Sequence, residues 1–187
     1  MKKLLLYITL AATAIGCFSA CDDDDAQTTW DTYADWREQN DAWVSEMAAR
    51  KNPDGTPYYT RLIPSWNPGT MVLIHYFNDR VATEGNLSPL YTSTVDVRYV
   101  GRDCLGAGFD SSTLATTYGP GIARFGVNGV IQGWSIALQD MRVGDTCEII
   151  VPYGAAYGST STTAIKPYSA LRFNLRLVDI PYYEIPD

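Results

Sequence analysis

The chain has 187 residues, 46% of them hydrophobic, and a net charge of −7 from 14 Lys and Arg against 21 Asp and Glu. That length holds one ordinary domain plus an extension and excludes two domains of normal size. The acidic balance, with no Lys/Arg cluster interleaved with aromatics along the sequence, argues against nucleic acid as a partner.

Lys2 and Lys3 form a positive start, and Leu4 to Ile15, broken only by Thr9 and Thr13, is an apolar run of signal-peptide length. It is too short to span a bilayer comfortably. Ala14-Ile15-Gly16-Cys17 and Phe18-Ser19-Ala20-Cys21 each resemble the lipobox of bacterial lipoproteins, and Cys21 is the favoured lipidation site. Asp22 to Asp25 repel one another and stay solvated, which suits a tether, and the run resembles a surface-export signal of some Gram-negative lipoproteins. The expected division is a signal peptide over 1–20 and a lipidated cysteine with acidic tether over 21–27. Membrane contact is then through lipid alone, in the outer membrane of the cell envelope; the acidic run suits exposure at the surface, and the face is left open. An ordinary cleaved secretory signal is the alternative. Cys104 and Cys147 would remain as thiols, and their pairing is left open.

From Thr28 to Lys51, Trp30, Tyr33, Trp36, Trp43 and Met47 recur at helical spacing, predicting an amphipathic helix capped by Thr29, with Asp31 in its first turn. Asn52-Pro53-Asp54-Gly55 ends it. The aromatic stripe is expected to pack on the following domain; a sugar-binding or partner-binding face is the alternative. Residues 56–69 hold three prolines and predict an irregular linker, completing an N-terminal segment over 28–69. Beyond it the period becomes two. Met71 to Phe77 is β-rich, Val95, Val97 and Tyr99 alternate with Asp96 and Arg98, and Cys147, Ile149 and Val151 alternate with Thr146, Glu148 and Ile150. Ile131, Trp134, Leu138 and Met141 lie at helical spacing, and Leu171, Phe173, Leu175 and Leu177 alternate with Arg172, Asn174 and Arg176. Many strands and one short helix predict an α+β domain over 70–181: a curved antiparallel sheet, a half-barrel wrapped on the helix, with an N-terminal helical extension and a tail over 182–187. The gap between helix and sheet is a natural ligand pocket.

Five strings occur in order: Tyr99-Val100-Gly101, Phe109-Asp110-Ser111-Ser112, Gly129-Val130-Ile131-Gln132-Gly133-Trp134, Ala156-Tyr157-Gly158, and the strand from Leu171 to Ile180. Together they resemble the FKBP-type peptidyl-prolyl cis-trans isomerases. The resemblance implies a prolyl pocket floored by Trp134 and walled by Tyr99, Phe109, Val130, Ile131, Ile165 and Phe173, with Asp110 and Tyr157 as polar groups and Tyr99, Asp110 and Tyr157 carrying the catalytic roles. The Ile131 N–H resembles the family's donor to the ligand carbonyl. It further implies proline-containing polypeptide partners, no cofactor, no metal and a monomer.

Ala123 stands where many members carry a second pocket aromatic, two residues before Phe125, and the loop Gly158 to Ala164 is all small and polar. Weaker or differently selective substrate grip is expected. Leu114 to Ile122 is an insertion expected to form a mobile flap over the pocket. A noncatalytic proline-peptide-binding or chaperone module and a glycan-associated surface protein are the alternatives. A hydrolase lacks support, since His75 is the only histidine and no Gly-x-Ser-x-Gly elbow accompanies it.

Overall fold

Alternation along the longest strand explains the architecture. In β3 (Thr94–Asp103), Val95 and Val97 are fully buried on one face while Arg98 is exposed on the other. The computed structural model describes residues 23–183, so the expected signal peptide, Cys17, Cys21 and the last four residues of the tail lie outside the described residues. The chain builds a single antiparallel sheet in the order β1 (Thr60–Leu62), β2 (Val72–Tyr76), β6 (Thr146–Val151), β7 (Leu171–Asp179), β3, β4 (Gly108–Ser111), with β5 (Ala123–Gly126) also paired to β3. Register shifts interrupt β3 between Asp96 and Val97 against β7 and between Gly101 and Arg102 against β4. Such irregularities bend and twist a strand.

Against the inner face lies helix α3 (Gln132–Asp140), burying Trp134, Ile136, Ala137 and Leu138 at the positions that helical spacing selects. Gly133 lets it approach: a Cβ there would lie 2.4 Å from Val151 Cγ1. Leu171, Phe173, Leu175 and Leu177 complete this core from β7. The α+β architecture matches the expectation.

Before the sheet come α1 (Asp23–Thr32) and α2 (Ala34–Ala49). The helical backbone thus starts inside the expected tether, and Thr29 lies within α1 rather than at its cap. Acidic residues near a helix N-terminus suit its dipole, which favours this earlier start. Helix α2 packs on the outer face, where Val44 joins Tyr59, Leu73, Ile150 and Ala170. Ile150, expected among outward residues, is buried for this reason. Asn40, fully buried, accepts the Ala170 N–H through Oδ1 at 2.8 Å. The three helical tryptophans contact the rest of the chain: Trp36 Nε1 donates to Ser169 Oγ, Trp43 packs beside Val44, and Trp30 lies under the Arg37 guanidinium and edge-on to Tyr168.

Part of the expected linker is ordered as β1, whose three residues sit between Pro57 and Pro64 and pair with β2. A proline-free run between prolines at an edge can still join a sheet. Cys104 and Cys147 are both free, with Cys147 buried against Met141 Sδ at 3.7 Å. His75 donates through Nδ1 to the Tyr58 carbonyl and stacks on that ring, a structural use of the residue.

Candidate functional site

The β3–β4 hairpin carries two polar residues to one rim. Ser112 fastens it, accepting the Tyr99 N–H at its hydroxyl (2.9 Å) and donating its own N–H to the Tyr99 carbonyl (3.0 Å). Beyond that clasp the Tyr99 hydroxyl donates to Asp110 Oδ2 at 2.7 Å. Asp110 therefore points at a partner strand rather than closing a turn on its own backbone. Burial, then the hydrogen bond to Asp110, pushes the Tyr99 hydroxyl well above the ordinary tyrosine range, so it stays protonated.

Trp134 lies at the centre. Three aromatic rings meet it edge-on: Tyr99 at 5.0 Å, Phe173 at 5.2 Å and Phe125 at 5.9 Å between centroids. Such edge-to-face packing fixes ring orientation. Phe109 meets Phe173 in the same way at 5.6 Å. Both of these rings depend on Gly101, since a Cβ there would lie 2.7 Å from the Phe109 ring and 2.8 Å from the Phe173 ring. The rings enclose an apolar cavity of about 250 Å³, closed on the helix side by Val130 and Ile131 and at the rim by Asp110 and Tyr157.

Two donors of cavity-lining residues lack partners among the described residues. Trp134 Nε1 is buried and unbonded. The N–H of Ile131, the residue before α3, makes no bond to another described residue either. The sealed indole N–H is a cost to the fold, whereas the N–H of half-buried Ile131 is left open to a ligand.

Eight of the nine residues predicted for the site line this cavity: Tyr99, Phe109, Asp110, Val130, Ile131, Trp134, Tyr157 and Phe173. Ile165 does not; it is buried in the neighbouring core, held by its N–H to Thr162 Oγ1 at 3.0 Å. Phe125 and Gly129 line the cavity without having been predicted as site residues. Phe125 lies on a four-residue strand that shows no alternation of burial to single it out. Ala123 does not reach the cavity, which leaves that side without a second ring. The insertion from Leu114 to Ile122 is not a flap over the cavity. Gly121 N–H bonds Ala115 O, curling the segment on itself, and Pro120 and Gly121 line a separate groove on the outer face of the sheet.

The profile of the FKBP-type peptidyl-prolyl cis-trans isomerase family matches residues 86–178. A macrophage infectivity potentiator from Trypanosoma cruzi is 40% identical over 100 residues, covering 51% of this chain and 47% of its own. An outer membrane protein MIP from Legionella longbeachae is 36% identical over 115 residues, covering 60% and 48% respectively. The chain thus spans about half the length of these curated relatives. A crystal structure of a peptidyl-prolyl cis-trans isomerase from Pseudomonas syringae superposes with a TM-score of 0.58 at 26% identity, over 76% of this chain and 93% of that one. Sheet, helix, aromatic cavity and profile agree: residues 86–178 form a domain of the FKBP-type peptidyl-prolyl cis-trans isomerase family.

Proposed function

We propose that the protein is a peptidyl-prolyl cis-trans isomerase acting on X-Pro bonds of exported or envelope proteins. The observation that carries this is the apolar cavity floored by Trp134, with the unbonded Ile131 N–H at its edge. Rotation about X-Pro takes tens to hundreds of seconds because the C–N bond must lose its double-bond character. No nucleophile is required. A dry aromatic cavity disfavours the charge-separated planar amide and packs better on the twisted form, so it lowers the barrier by differential binding. The Ile131 N–H holds a substrate carbonyl, and the Tyr157 hydroxyl holds a second one at the rim. Asp110 acts through Tyr99 as a positioning group.

In a protease-coupled assay on a proline tetrapeptide, Trp134→Ala is expected to lower kcat/KM by about tenfold or more, and Asp110→Ala by less. Unchanged rates in both variants would remove the cavity from the mechanism. A second reading, a noncatalytic binder of proline segments, is favoured by the missing ring at Ala123 and the small polar loop after Gly158. Peptide binding without acceleration would select it.

The proposed location is the bacterial cell envelope, as a monomer anchored to the outer membrane through lipidated Cys21 and exposed at the surface. The lipobox-like string before Cys21 and the similarity to an outer membrane protein of Legionella longbeachae support it. Metabolic labelling with a fatty acid should mark the wild-type chain and not Cys21→Ala.

A further inference from the structure

We propose that the outer face of the sheet, opposite the aromatic cavity, binds an extended acidic polypeptide segment through Arg98, Arg102, Arg172 and Arg176. Strand alternation turns these side chains away from the core, and the β3–β7 register sets Arg98 directly opposite Arg176 and Arg102 directly opposite Arg172. Like charges facing each other across two strands are destabilising. Here it happens twice, in a chain whose net charge is −7.

The acids nearby are already engaged. Glu148 accepts the Tyr59 hydroxyl and stands 4.0 Å from Arg172, while Asp96 is held by Arg124 at 2.6 and 2.8 Å. Arg98, Arg102 and Arg176 have no ion pair among the described residues. Arg172 is thus partly compensated by Glu148, while Arg98, Arg102 and Arg176 leave positive charge on this face that no acid pairs among the described residues.

The shape of the patch selects the occupant. A groove of about 560 Å³ runs over Val100 and Asn174, flanked by Arg98 and Arg176 and walled by Thr113 and Pro120. Gly121, at φ +69, brings that wall beside Arg98: a Cβ there would lie 3.9 Å from the guanidinium Nε. A walled groove does not fit a flat bilayer. Along a strand the two arginine pairs are four residues apart, about 13 Å, and an extended peptide presents same-side residues at i and i+4 with the same repeat. Guanidinium groups grip carboxylates in two-point contacts, so acidic side chains at that spacing match both pairs. Helix α2 covers the adjoining Leu73–Ile150 corner and bounds the patch on that side.

The test uses fluorescence anisotropy of the full chain with a labelled peptide of alternating Glu and Ser. Binding is expected to weaken with added salt and to fall about tenfold or more in Arg98→Glu/Arg176→Glu. The proline assay should be unchanged in that variant, since neither residue touches the cavity. Arg98→Gln/Arg176→Gln guards against misfolding: it should lose peptide affinity while melting no lower than wild type, because it relieves repulsion. Undiminished peptide binding in both variants, or no binding by wild type, would overturn the proposal. So would preferential capture of phosphatidylglycerol vesicles or single-stranded DNA over the peptide.

Discussion

Gly101 shows how much the cavity rests on the absence of one methyl group. Alanine at this position would meet both the Phe109 and Phe173 rings inside 3.0 Å, so the rings must tilt or the strand must shift. Overpacking of this kind costs about 1–3 kcal/mol. Gly101→Ala is expected to lower the thermal midpoint and, because both rings wall the cavity, to reduce proline turnover more than a stability loss alone would. A melt and the coupled assay on the same sample check both. The residues legible in the sequence were those whose direction follows from a period: Trp134 on its helix, Tyr99 and Phe173 on long strands. Phe125 sits on a strand of four residues, too brief for alternation to stand out. Ile165 was beyond reach for another reason. Its place is set by its N–H donating to the Thr162 hydroxyl inside an irregular loop, and no period records this.

At the scale of elements, α2 attaches to the sheet through little apolar area, with Val44 its one well-buried hydrophobic side chain. The Asn40 carbonyl contact is therefore important. Asn40→Ala would leave the buried Ala170 N–H without an acceptor, at a cost of about 1–3 kcal/mol. The expected outcome is a lower urea midpoint together with faster hydrogen exchange at Ala170. The same element marks a limit of pattern reading. Aromatic spacing located the helix, yet its buried line runs through Asn40 and Val44, while Trp30 remains 40% exposed. A small amide makes the closer fit to the sheet than the large rings beside it. Strand β1 was hidden because its order comes from pairing with β2, a contact distant in sequence. The insertion from Leu114 to Ile122 went to the outer face because its glycines at 119 and 121 adopt positive φ and fold it back.

For the whole molecule, the sequence disclosed the architecture through the switch from helical to two-residue periodicity, whereas the sharing of the sheet's two faces became visible only with the register. One face holds the aromatic cavity; the other is split between a docked helix and paired arginines. The clasp of α2 on residues 168–170 has a mechanical consequence. Anchored at Cys21 as proposed, the protein would feel any pull first at its N-terminus, and that pull would reach α1 and α2 before the ladder joining β2, β6, β7 and β3. Peeling the helices lengthens the chain by roughly 2 Å per residue as helix becomes extended. In a single-molecule stretching trace this should appear as a short, low-force step ahead of sheet rupture. The helical pair would then work as a shock absorber, yielding under load while the cavity keeps its shape.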